Sequence, residues 1–333
     1  MAEAALIPCL RAQDAVARLE AAVQAASAGV AEGLRARLGL IEAAGFLGHR
    51  GAAVHPHDLA LREAHITGSY SVAAHAGRLR RVLPWSAADG LGDGAPDDLL
   101  VGAGLAYARL WRRLGSFATV QPLSAAAQLA GQLGELGAAV APQRLAAWCG
   151  GLPGAHEQAA LPAAAAVLAA GAPADAAISA AHAVATGAGQ PLDLAAAYLA
   201  ACLWKRHGFG LGIALPFWAA PLSRLDALAR QSEAAFLRPY LDCVSEAALR
   251  GRRELARLLA AEQRIRTLPG RAGGHLPAAA EVALRRPLVT AGSLADALGV
   301  TARAGLDLTD RLVAAGLLRE ATGRRAWRAY VLA

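Results

Sequence analysis

Lysine is almost missing from this chain. Lys205 stands alone among 33 basic residues, and the others are arginine. Such a bias follows coding composition as readily as function, so it carries no recognition argument. Aromatics are also scarce, at 5% of 333 residues. Alanine, leucine and glycine dominate instead, which favours close-packed helices. The four cysteines, Cys9, Cys149, Cys202 and Cys243, are far apart and show no CxxC spacing. That argues against a zinc site or a disulfide framework and reads as buried free thiols in a reducing compartment. The opening MAEAALIP lacks the basic flank and apolar core of a signal peptide. Apolar runs such as Leu161 to Ala174 are interrupted by Pro162, Gly171 and Pro173. They suit tight helix packing better than a membrane span. A cytoplasmic protein without a membrane partner is expected.

Catalytic signatures are missing as well. There is no GxSxG elbow and no convincing carboxylate pair. His55-Pro56-His57-Asp58, with His65 and His75, offers no i, i+4 histidine pair and no HExxH. Without ligands on one helical turn, these read as polar loop histidines rather than a metal site. Gly208-Phe209-Gly210-Leu211-Gly212 has no preceding strand, no closing Lys-Ser/Thr and no following helix, so it is read as a glycine connection. The expectation is a chain with no metal, no cofactor and no enzymatic activity.

What is present is charge and pattern at the C-terminal end. Basic and acidic residues balance up to Val244, whereas from Ser245 onwards fifteen arginines face eight acids. The whole net charge of +7 therefore sits in the last part of the chain. That is the electrostatic footprint of a polyanion partner.

Within this basic part, Pro287 to Tyr330 reads as a short helix, a tight turn, a longer helix and a hairpin. Ser293 is a suitable N-cap, and Leu294, Ala295 and Leu298 share a helical face. Gly299 allows the turn at positive φ, and Val300 plugs the angle between the helices. Thr301 caps the next helix, whose buried stripe is assigned to Leu306, Thr309, Leu312 and Val313. Gly316 ends it. Leu317-Leu318-Arg319 forms a strand, Ala321 to Arg324 a turn, and Ala326 to Val331 the returning strand. This order is that of a winged helix-turn-helix. The helix from Thr301 would enter the major groove, with Thr301 and Arg303 at its start, and Arg324, Arg325 and Arg328 would meet phosphates from the wing. Asp307 and Asp310 on the same helix would repel phosphate if they faced it.

The upstream chain reads as helices throughout, so the expected fold class is mainly α: a multi-helical body carrying a C-terminal winged helix-turn-helix. Ala12 to Ala44 contains two amphipathic helices, broken near Ser27-Ala28-Gly29, with apolar faces at Val16, Leu19, Val23, Leu34, Leu38 and Ile41. Asp58 would cap a short helix through Ala64. Ala87 to Asp98 is an acidic, glycine-rich linker. Helices follow from Leu99 to Leu114 and onwards, ending with Glu233 to Arg266, broken or bent at Pro239. That last helix sets Leu249, Leu255, Leu258 and Leu259 against Arg252, Arg253 and Arg257. A Pro269 to Gly274 linker follows. The domains implied are 1–98, 99–268 and 275–333.

The phrases RPLVTAGSLADALGVTARAGLDLTDRLVAAGLLRE and TGRRAWRAY, with Phe236 to Leu259 and, more weakly, Asp58 to Ala64, resemble a family of rhizobial and related alphaproteobacterial proteins. These join a domain of unknown function to a C-terminal helix-turn-helix DNA-binding domain. The layout of helical body, long helix and winged helix also resembles Fic-type proteins. Active members carry HPFx(D/E)GNGRxxR, in which the histidine is the base and the glycine-rich turn with its arginine holds nucleotide phosphates. The nearest counterpart here, His182-Ala183-Val184-Ala185-Thr186-Gly187-Ala188-Gly189, lacks the Pro-Phe, the acid, the asparagine and both arginines. The resemblance therefore implies a degenerate Fic-like scaffold without that chemistry.

The function expected is a DNA-binding transcriptional regulator, with the body serving dimerisation, as a homodimer, or regulation. The alternatives are a nucleotidyl (AMP) transferase of the Fic type, or its inactive relative, and a protein-docking adaptor.

Overall fold

The computed structural model describes residues 3–49, 54–64, 66, 104–105, 108–109, 111–112, 233–268, 274–322 and 328–333. Among them the chain is helical apart from one small antiparallel sheet. The helices are α1 (Glu3–Gln24), α2 (Ala28–His49), α3 (Pro56–Glu63), α4 (Glu233–Arg266), α5 (Leu276–Arg285), α6 (Ala291–Leu298) and α7 (Ala302–Ala314). The strands are β1 (Leu318–Glu320) and β2 (Tyr330–Leu332). The mainly helical class with a C-terminal helix-turn-helix is thus observed. Several expectations lie outside the described residues. They are the linker at 87–98 with its domain boundary, the helices assigned between 123 and 228, His65, His75, His182, Gly208 to Gly212, and most of the linker at 269–274.

The N-terminal pair forms as the periodicity predicts. Ser27 stops α1 from running into α2, and its Oγ accepts a hydrogen bond from the Val30 N–H at 3.3 Å. Ala12, Val16, Leu19 and Val23 recur at helical spacing and are buried on one face. Leu34 and Leu38 do the same on α2. α1 starts earlier than the periodicity signals and carries Pro8 inside it. Ile7 and Leu10 there are exposed.

α4 is a continuous helix of 34 residues that passes through Pro239. The expected break at Pro239 is therefore not observed. Its buried stripe is Leu241, Val244, Ala248, Gly251, Leu255, Leu258, Ala261 and Ile265, at steps of three and four. Leu249 and Leu259, expected on that stripe, are exposed instead, at 44% and 39%. They sit one residue beyond Ala248 and Leu258, and a single step of 100° carries a side chain off the buried face.

α1 and α2 both pack on α4, and α2 and α4 pack on α5. The resulting core is continuous from Ala12 through Leu258 and Leu284 to Leu312 and Tyr330. Each fully buried leucine in it, such as Leu19, Leu34 or Leu38, contributes about 1.5–3 kcal/mol of burial. α3 packs against α2. Its N-cap is His55, not Asp58: the His55 Nδ1 accepts from the His57 N–H at 3.1 Å, with Pro56 in the first turn. Asp58 is buried within that turn, where a carboxylate meets the positive end of the helix.

The fit of α2 against α5 is set by two residues. A side chain at Gly33 would strike the Leu284 carbonyl, so only glycine permits the approach. Four residues further on, Arg37 is buried and 8% exposed. Its Nη1 donates to Gly33 O at 3.0 Å and Leu284 O at 2.8 Å; its Nη2 donates to Ala283 O at 3.3 Å and Arg286 O at 2.8 Å. Its Nε lies 3.5 Å from the Glu254 carboxylate on α4. The last carbonyls of a helix lack intrahelical partners, so Arg37 caps α5 from a neighbouring helix. Burial lowers its pKa to about 10 against the opposing pull of Glu254, and it remains charged at neutral pH.

Candidate nucleic-acid interface

The C-terminal module begins with α5 and is built by local chemistry. Thr290, rather than Ser293, is the N-cap of α6. The Thr290 Oγ1 accepts from the Ser293 N–H at 3.0 Å, and the Ser293 Oγ accepts from the Thr290 N–H at 2.8 Å. This reciprocal box satisfies two free amides at once. Serine at the third position is thus a partner of the cap, three residues inside the helix end. Leu294 and Ala295 are buried as expected, and Leu298 is partly buried.

Gly299 closes α6 at φ 64°. Nothing stands within 4 Å of the position a Cβ would take, so backbone conformation, not space, calls for glycine there. Val300 packs against the core between the helices. Thr301 caps α7, its Oγ1 accepting from the Ala304 N–H at 3.3 Å. α7 then crosses α6 closely. A Cβ at Gly305 would strike the Ala291 carbonyl and stand 3.0 Å from the Ala295 Cβ.

The buried face of α7 is Gly305, Leu308, Thr309 and Leu312. Leu306 and Val313, expected to be buried, are exposed at 47% and 39%. The close crossing at Gly305 fixes the rotation of the helix, and this places Leu308 inside and Leu306 outside. Thr309 is buried without cost because its hydroxyl donates to Leu306 O at 2.7 Å.

Gly316, at φ 68°, turns the chain into β1. β1 and β2 pair antiparallel with Leu318 opposite Leu332, Arg319 opposite Val331 and Glu320 opposite Tyr330. β1 starts one residue later than expected; of the returning strand expected over 326–331, residues 328 and 329 lie outside β2, and 326 and 327 lie outside the described residues. A third segment was not anticipated. Val289 forms an antiparallel bridge to Tyr330, with N···O distances of 2.9 and 2.8 Å in the two directions. The order α5, Val289, α6, α7, β1, β2 is that of a winged helix. The signal for the extra segment was Leu288-Val289 behind Pro287, an apolar pair too short to show a period of two.

The outward face of α7 holds the expected Thr301 and Arg303, both exposed. Arg303 has no ion pair among the described residues. Leu306 and Asp310 follow on the same face, at spacings of three and four. Asp307 lies 3.7 Å from Arg311, one turn on. Such a face sets a guanidinium, an apolar group and a carboxylate side by side, the kinds of group that can meet base edges. Arg328 is exposed, 3.9 Å from Glu320 across the hairpin. Arg324 and Arg325 lie outside the described residues.

Arginines join the module to the body at Arg37 on the end of α5, at Arg285, 3.8 Å from Glu32, and at Arg264, whose Nη1 donates to Gly316 O at 2.9 Å. Cys243, the cysteine whose surroundings are described, is buried and its pKa is raised to about 11 by burial and by Asp242, which leaves it an unreactive thiol. Among the described residues no helix is long and apolar enough to cross a membrane.

Residues 276–332 match the family of helix-turn-helix DNA-binding domains. The matched segment runs from the first residue of α5 to the last residue of β2. No curated protein matches the chain.

Proposed function

We propose that the protein is a DNA-binding transcriptional regulator that acts in the cytoplasm, with its helical body serving dimerisation or regulation. The match of residues 276–332 to a helix-turn-helix DNA-binding domain carries this reading. The exposed, unpaired Arg303 in the first turn of α7 agrees with it, because that is where a recognition helix meets base edges. In this reading Thr301 and Arg303 face the major groove. Arg324, Arg325 and Arg328 hold phosphates, which position the protein without reading sequence. Arg328 would exchange its Glu320 partner for a phosphate on binding.

The test is selection from a random duplex library with the full-length protein, followed by titration of an enriched and a random duplex at several salt concentrations. A recurring sequence should emerge, and affinity for both duplexes should fall steeply with salt. Absence of enrichment, with no salt-dependent affinity for any duplex, would favour the docking-adaptor reading.

A further inference from the structure

A cleft of about 500 Å³ lies where the body meets the wing. Its volume falls within the roughly 300–1,000 Å³ typical of small-molecule sites. Ile41 of α2, Leu258 of α4, Pro56 at the start of α3 and Leu332 of β2 give it apolar walls.

The charged groups in the cleft do not balance. Glu254 lies 3.5 Å from Arg37 and 3.4 Å from Arg257, so one carboxylate answers two guanidiniums. Arg37 is further engaged by backbone carbonyls. Arg319 lines the cleft from β1, opposite Val331 in register, and has no carboxylate partner among the described residues. His57 stands close by. Burial, His55 and Arg319 together hold its pKa down at about 4, so it is neutral at pH 7. The recess is part apolar and part polar: three guanidiniums, Arg37, Arg257 and Arg319, face the Glu254 carboxylate and the α-carboxylate of Ala333, so one positive charge is in excess, and Arg319 on the wing has no ion pair among the described residues.

We propose that this cleft binds a small organic carboxylate with an apolar body, with Arg319 as the partner of the carboxylate. The bound molecule bridges α2, α3 and α4 on one side and the sheet on the other. It thereby biases how the wing sits against the body. This last step, though not the binding itself, rests on the reading of the protein as a regulator.

Calorimetric titration of the full-length protein with octanoate and with benzoate tests the assignment. Octanamide, benzamide and inorganic phosphate are the controls, and Arg319→Gln is the variant. Arg319 is an exposed strand residue, so the variant should keep the melting temperature of the parent. At least one carboxylate should bind, with its amide and phosphate about tenfold or more weaker, because charge-assisted pairing and apolar burial are both required. Arg319→Gln should weaken that carboxylate about tenfold or more. In the unmodified protein, the NMR titration midpoint of the His57 ring should move upwards when the carboxylate is bound.

The proposal is overturned if neither carboxylate binds, if the amides or phosphate bind equally well, or if Arg319→Gln changes nothing. Should Arg319→Gln weaken random-duplex binding while no carboxylate binds, Arg319 is a phosphate contact and the cleft is not a site. Carboxylate binding by a protein with no affinity for any duplex would keep the site and remove the regulator reading.

Discussion

Arg37 and Arg303 are the same residue on two amphipathic helices, and their surroundings are opposite. Arg37 lies between α2, α4 and α5, bonded to four backbone carbonyls and paired with Glu254. Arg303 lies on the outward face of α7, in solvent, with no ion pair among the described residues. The first holds the module on the body; the second is available to a partner. A net positive charge near the C-terminus therefore counts two kinds of arginine together, and only burial and bonding separate them.

The contrast is broken most severely by Arg37→Ala. It leaves three carbonyls of the α5 terminus without their donor and Glu254 with Arg257 alone, a loss of about 3 kcal/mol. Chemical denaturation should show a midpoint far below that of the parent. A loss no larger than that of a surface substitution would mean that Arg37 does not anchor α5.

A smaller effect acts on the junction through pH. His57 has its pKa lowered from 6.5 to about 4, by burial first and then by His55 and Arg319. Below about 6.5 the unfolded chain takes up a proton that the folded protein refuses until about pH 4. Stability is therefore complete above that window and lost as pH falls through it. The loss is on the order of 2 kcal/mol, allowing for solvent screening at the half-buried ring. Denaturation at pH 7 and pH 4.5 should show a smaller difference for His57→Gln than for the parent. Equal differences would place the pH dependence elsewhere.

Gly305→Ala addresses the reading side. Alanine raises helix propensity by up to about 1 kcal/mol, but its Cβ would strike the Ala291 carbonyl, which is backbone and cannot turn away. Overpacking of this kind costs about 1–3 kcal/mol, so the net result is a modest loss of stability. DNA affinity should fall with it, because α6 and α7 must separate. Unchanged melting and binding would show that the crossing is looser than described.

The two regions also differed in how much could be read beforehand. The reading module was legible where a local rule sufficed: Gly299 and Gly316 for positive φ, and Thr301 as a cap. It is ambiguous where two local solutions compete. Ser293 caps as well as Thr290 by type, and only the reciprocal bonds distinguish them. Leu306 and Leu308 are equally apolar, and only the crossing at Gly305 determines which is buried. The junction was far less legible. Leu34, Leu38 and Ile41 were correctly assigned to one stripe, yet Arg37 falls on the same stripe, three residues after Leu34. A charge at that position was the available signal, but its partners on α4 and α5 are more than 200 residues away in sequence. The bridge at Val289 was likewise hidden, because one paired residue has no periodicity.

A regulator of this kind must read bases with the first turn of α7. The decisive measurement is titration of Arg303→Ala, and of Arg324→Ala with Arg325→Ala, on the enriched and the random duplex across salt concentrations, with melting curves as a control. Arg303→Ala should melt within about 0.5 kcal/mol of the parent. It should lose about 1–3 kcal/mol of binding on the enriched duplex and much less on the random one. The wing double variant should weaken both alike and reduce the salt slope by about one to two units. If Arg303→Ala binds the enriched duplex as tightly as the parent, α7 does not read through that residue and the central claim is wrong.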